Sequence, residues 1–143
     1  MIKFEIKYRK PEKKWHVFNG LLMSENAWSK LYWATKREYC KRLLWSVTSH
    51  LIKQSKPKAP VSLHFIIYKC YTRPDSDAPR TKEWTDIILS LLGFREKWGN
   101  GYRVKDDYTI IPDRATVEIR KVKHRIDQKT VVIVKSLSES GLE

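Results

Sequence analysis

The sequence predicts an α/β domain of the α+β kind: one mixed β-sheet packed in two layers with two main helices, in the order β-α-β-α-β-β. Three observations predict it. Val61 to Tyr71 is a strand whose middle (Leu63, Phe65, Ile66, Ile67, Tyr68) is apolar on both faces, as a central strand requires. Trp84, Ile87, Ile88, Leu91 and Leu92 fall at i, i+3, i+4, i+7 and i+8, the spacing of an amphipathic helix. Ile2, Phe4, Ile6 and Tyr8 alternate with Lys3, Glu5 and Lys7, the period of a half-buried strand. A chain of 143 residues is most simply one domain, here 1–135, with 136–143 a flexible tail.

The elements follow in order. Pro11 and Lys13-Lys14 end the first strand, and a loop through Asn19-Gly20 leads to Ser24-Glu25-Asn26. From about Leu31 to Gln54 the pattern is helical, with Cys40, Leu44, Val47 and Leu51 on one face and Leu43 beside them. Pro57 and Pro60 bracket a break before the central strand. Pro79 suits the first turn of the next helix, Gly93 stops it, and its polar stripe is Lys82, Asp86 and Ser90. A loop rich in Lys, Arg, Trp and Gly follows, with Gly99-Asn100-Gly101 as a turn, and delivers Asp106-Asp107. Ala115 to Val122 and Thr130 to Lys135 are the last two strands, joined near Asp127-Gln128.

Charge narrows the function. Against 16 Asp and Glu stand 29 Lys and Arg, a net charge of +13 and a pI near 9.8. An excess of that size points to a polyanionic partner, nucleic acid first. It is concentrated early: residues 1–58 hold 14 Lys or Arg against 4 Glu. Lys36, Arg37, Lys41 and Arg42 line one side of the long helix and are candidates to track a phosphate backbone, joined by Arg73 and Arg80. No run of 18 apolar residues is present, so no membrane-spanning helix is expected, and the N-terminus lacks an apolar signal core. The expected compartment is the cytoplasm, which in a bacterium would also hold the DNA. Cys40 and Cys70 form no CxxC, and the four His match no zinc spacing, so both cysteines read as reduced packing residues.

Within this basic chain four carboxylates come as two close pairs, Asp75 with Asp77 and Asp106 with Asp107. Acids gathered where phosphate is to bind repel it unless a divalent cation lies between. Mg²⁺ takes oxygen ligands from one or two carboxylates plus substrate phosphate, and it polarises phosphoryl oxygen and activates water. Lys82 is placed to stabilise charge developing on phosphate. The ordinary alternatives are a helix cap at Asp77, an i,i+4 pair of Lys82 with Asp86, and a turn at Asp106-Asp107.

At these residues the sequence resembles the RusA-type Holliday junction resolvases of bacteria and prophages. That family carries D-x-D-N followed by a lysine, a helix containing Asp and ending in Gly, then D-D-x-Q before a strand. The matching stretches are Arg73-Pro74-Asp75-Ser76-Asp77, then Lys82, Asp86 and Gly93, then Asp106-Asp107-Tyr108-Thr109. Ser24 to Arg37 is similar to the family's S-x-N segment and its aromatic-basic helix. The sequence departs at Ala78, where the family has Asn, at Thr109, where it has Gln, and in a step from Asp77 to Lys82 one residue longer. The resemblance implies a homodimer that cuts two opposing strands of a four-way DNA junction with Mg²⁺ or Mn²⁺. Asp75, Asp77 and Asp107 or Asp106 would hold the metal, and Lys82 would act at phosphate. Two other readings of the same residues are a DNA-binding module without catalysis and a single-strand binder that stacks bases on the six Trp and seven Tyr. Against the second, Trp84, Tyr68 and Trp45 fall on apolar faces and are expected in the core.

Overall fold

The computed structural model describes residues 1–13, 15–70 and 78–137. It has the mixed α+β architecture. Strands β1 (Ile2–Lys7), β2 (Val61–Lys69), β5 (Thr116–Lys121) and β6 (Lys129–Ser136) form one sheet in the order β1-β6-β2-β5. Helices α1 (Glu25–Ser29), α2 (Trp33–Leu51) and α3 (Lys82–Leu91) and the separate hairpin β3 (Arg95–Trp98) with β4 (Gly101–Val104) complete the described elements, with a 3-10 turn at Arg125–Asp127. β2 pairs antiparallel with β6 and parallel with β5, so it is central, as its two-sided apolar run requires. The last strand runs one residue past the expected domain limit. Ser136 is buried and donates its hydroxyl to the Lys58 carbonyl.

Register decides which side chains make the core. Phe4 lies opposite Val132 and Val132 opposite Phe65, so alternate residues of three strands face the helices together. Tyr39, Leu43, Val47 and Leu51 of α2 and Trp84, Ile88 and Leu89 of α3 close over them. Glu5, Val131, Ile66 and Glu118 alternate to the outward face. There Lys129 pairs with Glu5 at 3.0 Å, and Arg120 donates to the Tyr68 hydroxyl at 3.0 Å and to Glu118. These long side chains shade Ile66 and Val131, which are both buried.

Four expectations change. The buried stripe of α2 is Tyr39-Leu43-Val47-Leu51: Leu43, Val47 and Leu51 are buried as expected, but Tyr39 joins them while Cys40 is half-buried and Leu44 exposed. The cause is Tyr39, whose ring packs inside because its hydroxyl reaches the Leu21 carbonyl and accepts from Trp84 Nε1. Of the aromatics expected in the core, Trp45 is 57% exposed for the same reason, and Tyr68, which alternates to the outward face of the sheet, is only half-buried. Pro79 does not open α3. The Ala78 carbonyl accepts from Glu25 N–H and Arg80 N–H donates to the Met23 carbonyl, a short antiparallel bridge that delays the helix to Lys82. The loop after Gly93 is instead the β3–β4 hairpin.

Two glycines are required by geometry. Gly20 has φ +88°, and a Cβ there would meet the Lys7 carbonyl oxygen at 2.6 Å. Gly93, at φ +98°, ends α3 in a Schellman arrangement: Phe94 N–H reaches the Leu89 carbonyl and Gly93 N–H the Ser90 carbonyl.

His16 is buried, and Arg42 approaches its Nε2 at 3.3 Å. A guanidinium can donate there only if the ring is neutral with its proton on Nδ1, which has no partner among the described residues. Burial first, then the Arg42 charge, holds His16 below its ordinary 6.5. The unfolded chain therefore takes up this proton first, so stability should fall as pH drops from about 6.5 toward the folded-state value. Urea midpoints at neutral and mildly acidic pH should differ less in His16→Gln than in the parent chain.

Candidate metal and phosphate site

α3 carries the site. Its apolar stripe is pinned into the core by Trp84, Ile88 and Leu89, which turns Lys82 and Asp86 outward, one helical turn apart. Lys82 Nζ lies 3.6 Å from Asp86 Oδ2. The β3–β4 hairpin folds back on α3, with Lys105 N–H bonded to the Phe94 carbonyl, and this brings the next residues, Asp106 and Asp107, to the same place. A cleft of about 480 Å³ results, lined by Lys82, Asp86, Glu96, Arg103, Asp106 and Asp107. An adjoining cleft of about 780 Å³ shares Lys82, Asp86 and Asp106 and runs past Ala78 and Arg80 to Asp113 and Arg114.

The electrostatics pick out Asp86. It is half-buried, and its carboxyl is pushed above the usual range, by burial first, against the attraction of Lys82, and further by the negative charge of Asp106. Two acids that repel each other beside a cation, in a basic protein, make a place where a second cation is stabilised. Asp107 is different. Its carboxylate accepts the Thr109 hydroxyl and, at 3.0 Å, the Thr109 N–H, which hold it below the usual range. Its carbonyl takes Ile110 and Ile111 N–H. Thr109, the departure from the family's Gln, thus closes a turn on Asp107.

Of the expected site residues, Lys82, Asp106 and Asp107 meet in the cleft. Asp75, Asp77 and Arg73 lie outside the described residues; Ala78, which follows Asp77 in the chain, lines the adjoining cleft. Among the described residues no three His, Cys, Asp or Glu side chains make a metal-holding group. In the sequence Asp86 stands in a polar helix stripe, as a possible i,i+4 partner of Lys82 and as the helix Asp of the resemblance, and none of these makes it a site residue. The signal that marks it is its spacing, one turn after Lys82 on the polar side of a helix whose other face is apolar.

The candidate phosphate contacts divide. Arg80 is clamped by Glu83 at 2.7 Å and Glu25 at 2.8 Å and lies over Trp28, which joins α1, the Ser24–Pro79 bridge and α3. Arg42 is held by Glu38 at 3.0 Å. Lys36, Arg37 and Lys41 pair with no carboxylate among the described residues. Each lies over an indole, of Trp28, Trp33 and Trp45 respectively, at 5.0–5.7 Å. Lys36, Arg37, Lys41, Trp28 and Trp33 line a groove of about 810 Å³ on the neighbouring face of α3. No helix is long and apolar enough to cross a membrane among the described residues.

No protein-family model matches the sequence, and no curated protein matches it.

Proposed function

We propose that this chain is a Mg²⁺- or Mn²⁺-dependent endodeoxyribonuclease of the RusA type, which binds four-way DNA junctions as a homodimer and cuts two opposing strands. The observation that carries the reading is the convergence of Asp86 and Asp106 beside Lys82, in a cleft that continues to Ala78, in a chain of net charge +13. The donors there are carboxylate oxygens, which suit a hard divalent cation. Asp86 and Asp106, with Asp75 and Asp77, would hold it, and when bound it polarises the phosphoryl oxygen and acidifies a water. Lys82, largely exposed, is free to turn toward a phosphate oxygen and offset its charge. Asp107, already engaged by Thr109, keeps the turn that presents Asp106. Lys36, Arg37 and Lys41 supply duplex backbone contacts. Paired incision on a two-fold junction calls for two sites related by symmetry, hence the dimer.

The test is cleavage of a synthetic four-way junction and of a plain duplex, each with Mg²⁺ and with EDTA. The expected result is junction-selective, Mg²⁺-dependent nicking at symmetric positions by a species of twice the chain mass. Junction binding without cutting at any metal concentration would leave the DNA-binding module; binding of single strands in preference to junctions would leave the base-stacking reading.

A further inference from the structure

We propose that the β3–β4 hairpin is a nucleobase-binding arm, with Trp98 as the platform on which an unpaired base stacks beside the acidic cleft. The proposal rests on the nucleic-acid reading above and adds a residue and a ligand class to it.

Among the described residues the two strands pair with no other strand, running Arg95 opposite Val104 through Trp98 opposite Gly101 as a sheet apart from the main one. A two-residue connection, Gly99-Asn100, closes it, with φ +60° at Gly99 as a type II′ turn needs. Opposite residues share a face. Glu96 and Trp98 therefore lie with Arg103 on one face, and Arg95 and Lys97 lie with Tyr102 on the other.

The first face adjoins the site. Glu96 and Arg103 line the cleft with Lys82, Asp86 and Asp106, and Trp98 is the next residue outward on that face. The Arg103 guanidinium lies 3.7 Å from the centroid of the Trp98 ring and is fixed by Glu96 at 2.7 Å. One side of the indole is thus covered by a held cation, yet the residue is 62% exposed, so its other side is open. A large aromatic surface at the tip of a short hairpin does nothing for the core, and a hairpin of this size gains no stability from exposing it.

The chemistry of the arm selects the occupant. Residues 95–105 hold Arg95, Lys97, Arg103 and Lys105 against Glu96 alone, which disfavours an apolar protein surface and suits a phosphate chain. An indole backed by a guanidinium offers any base a π-face while the neighbouring cations meet its phosphates. A base can reach such a platform only when it is unpaired, as at a branch point or a frayed end.

The experiment uses the full chain and two DNA probes of equal length, a blunt duplex and a forked duplex with 2-aminopurine in the first unpaired position. Trp98→Ala should weaken binding of the forked probe about tenfold and of the blunt duplex less than about twofold, within what one stacked base contributes. Parent chain and Trp98→Phe should both quench the 2-aminopurine emission, and Trp98→Ala should not. Circular dichroism and the thermal midpoint of each variant should match the parent, because the side chain is exposed. Equal losses on both probes, or quenching that survives in Trp98→Ala, would overturn the arm. So would a dimer lost on the same substitution with probe binding unchanged, which would make the hairpin a contact between two copies. A parent chain that binds neither these probes nor a four-way junction removes both this inference and the proposed function; a parent that cuts junctions, alongside a Trp98→Ala protein indistinguishable from it on the forked probe, removes the arm alone.

Discussion

Asp86→Asn should lower Mg²⁺-dependent junction cleavage by about two to three orders of magnitude, the scale seen when one group that stabilises a transition state is removed. The amide keeps the shape and loses the charge. The fold should respond in the opposite sense. Burial and the Asp106 charge push the Asp86 carboxyl above the usual range, so it ionises less readily in the native state than in the unfolded chain. The sign follows from linkage. An acid raised in the fold holds its proton longer than in the unfolded chain, so ionising it as pH rises works against folding. Asparagine removes that opposition. The Lys82 partner is mostly exposed, and losing such a pair costs little. The metal-free variant should therefore melt at or above the parent's midpoint at neutral pH, and junction affinity should hold. A structural acid predicts the reverse, with a lowered midpoint and cleavage intact. Gel-based cleavage and a thermal melt in EDTA on the same preparation separate the two.

What the sequence made legible follows physical strength. β2 was readable because a strand buried on both faces has no polar positions to confuse its pattern, and α3 because its apolar stripe is wide and Gly93 ends it. In α2 the sequence shows Leu43, Val47 and Leu51 but not the start of the stripe, because Tyr39 counts as half polar in a sequence but is apolar once its hydroxyl is bonded. The β3–β4 hairpin left no alternation to read, since nearly all of its residues face solvent, and only Gly99-Asn100 marked it. Pro79 fits an extended bridge as well as a helix start, and the choice was made by backbone groups near Ser24 that are 55 residues away in the chain. In the site, the two acidic pairs stand out by charge contrast and Lys82 by its place about one helical turn after Asp77, while the choice between Asp106 and Asp107 is open in the sequence. That Asp86 joins them, and that Asp107 is engaged by Thr109, depends on how the hairpin folds onto α3.

Trp84→Ala should have the largest effect on stability. Trp84 is 1% exposed, packs edge-on to Phe65 with centroids 6.0 Å apart, and donates Nε1–H to the Tyr39 hydroxyl at 2.9 Å. Truncating a buried tryptophan costs about 3–5 kcal/mol through lost transfer energy and the cavity left behind. A second cost comes from Tyr39, which keeps the Leu21 carbonyl but loses the indole donor in a region dry enough to push its hydroxyl well above the ordinary range. Against a typical total of about 5–15 kcal/mol, the variant should sit near the edge of folding at 37 °C. Trp84→Phe separates the two costs. It refills most of the cavity but restores no donor, so its loss should be about 1–3 kcal/mol, the scale of one buried group left unpaired. Urea melts of the three proteins give the order directly. Because Trp84 anchors the helix that carries Lys82 and Asp86, the alanine variant should also lose cleavage, but in step with its unfolded fraction. Adding a stabilising osmolyte should recover both together. For Asp86→Asn the same osmolyte should recover nothing, since there the fold is intact and the charge is missing.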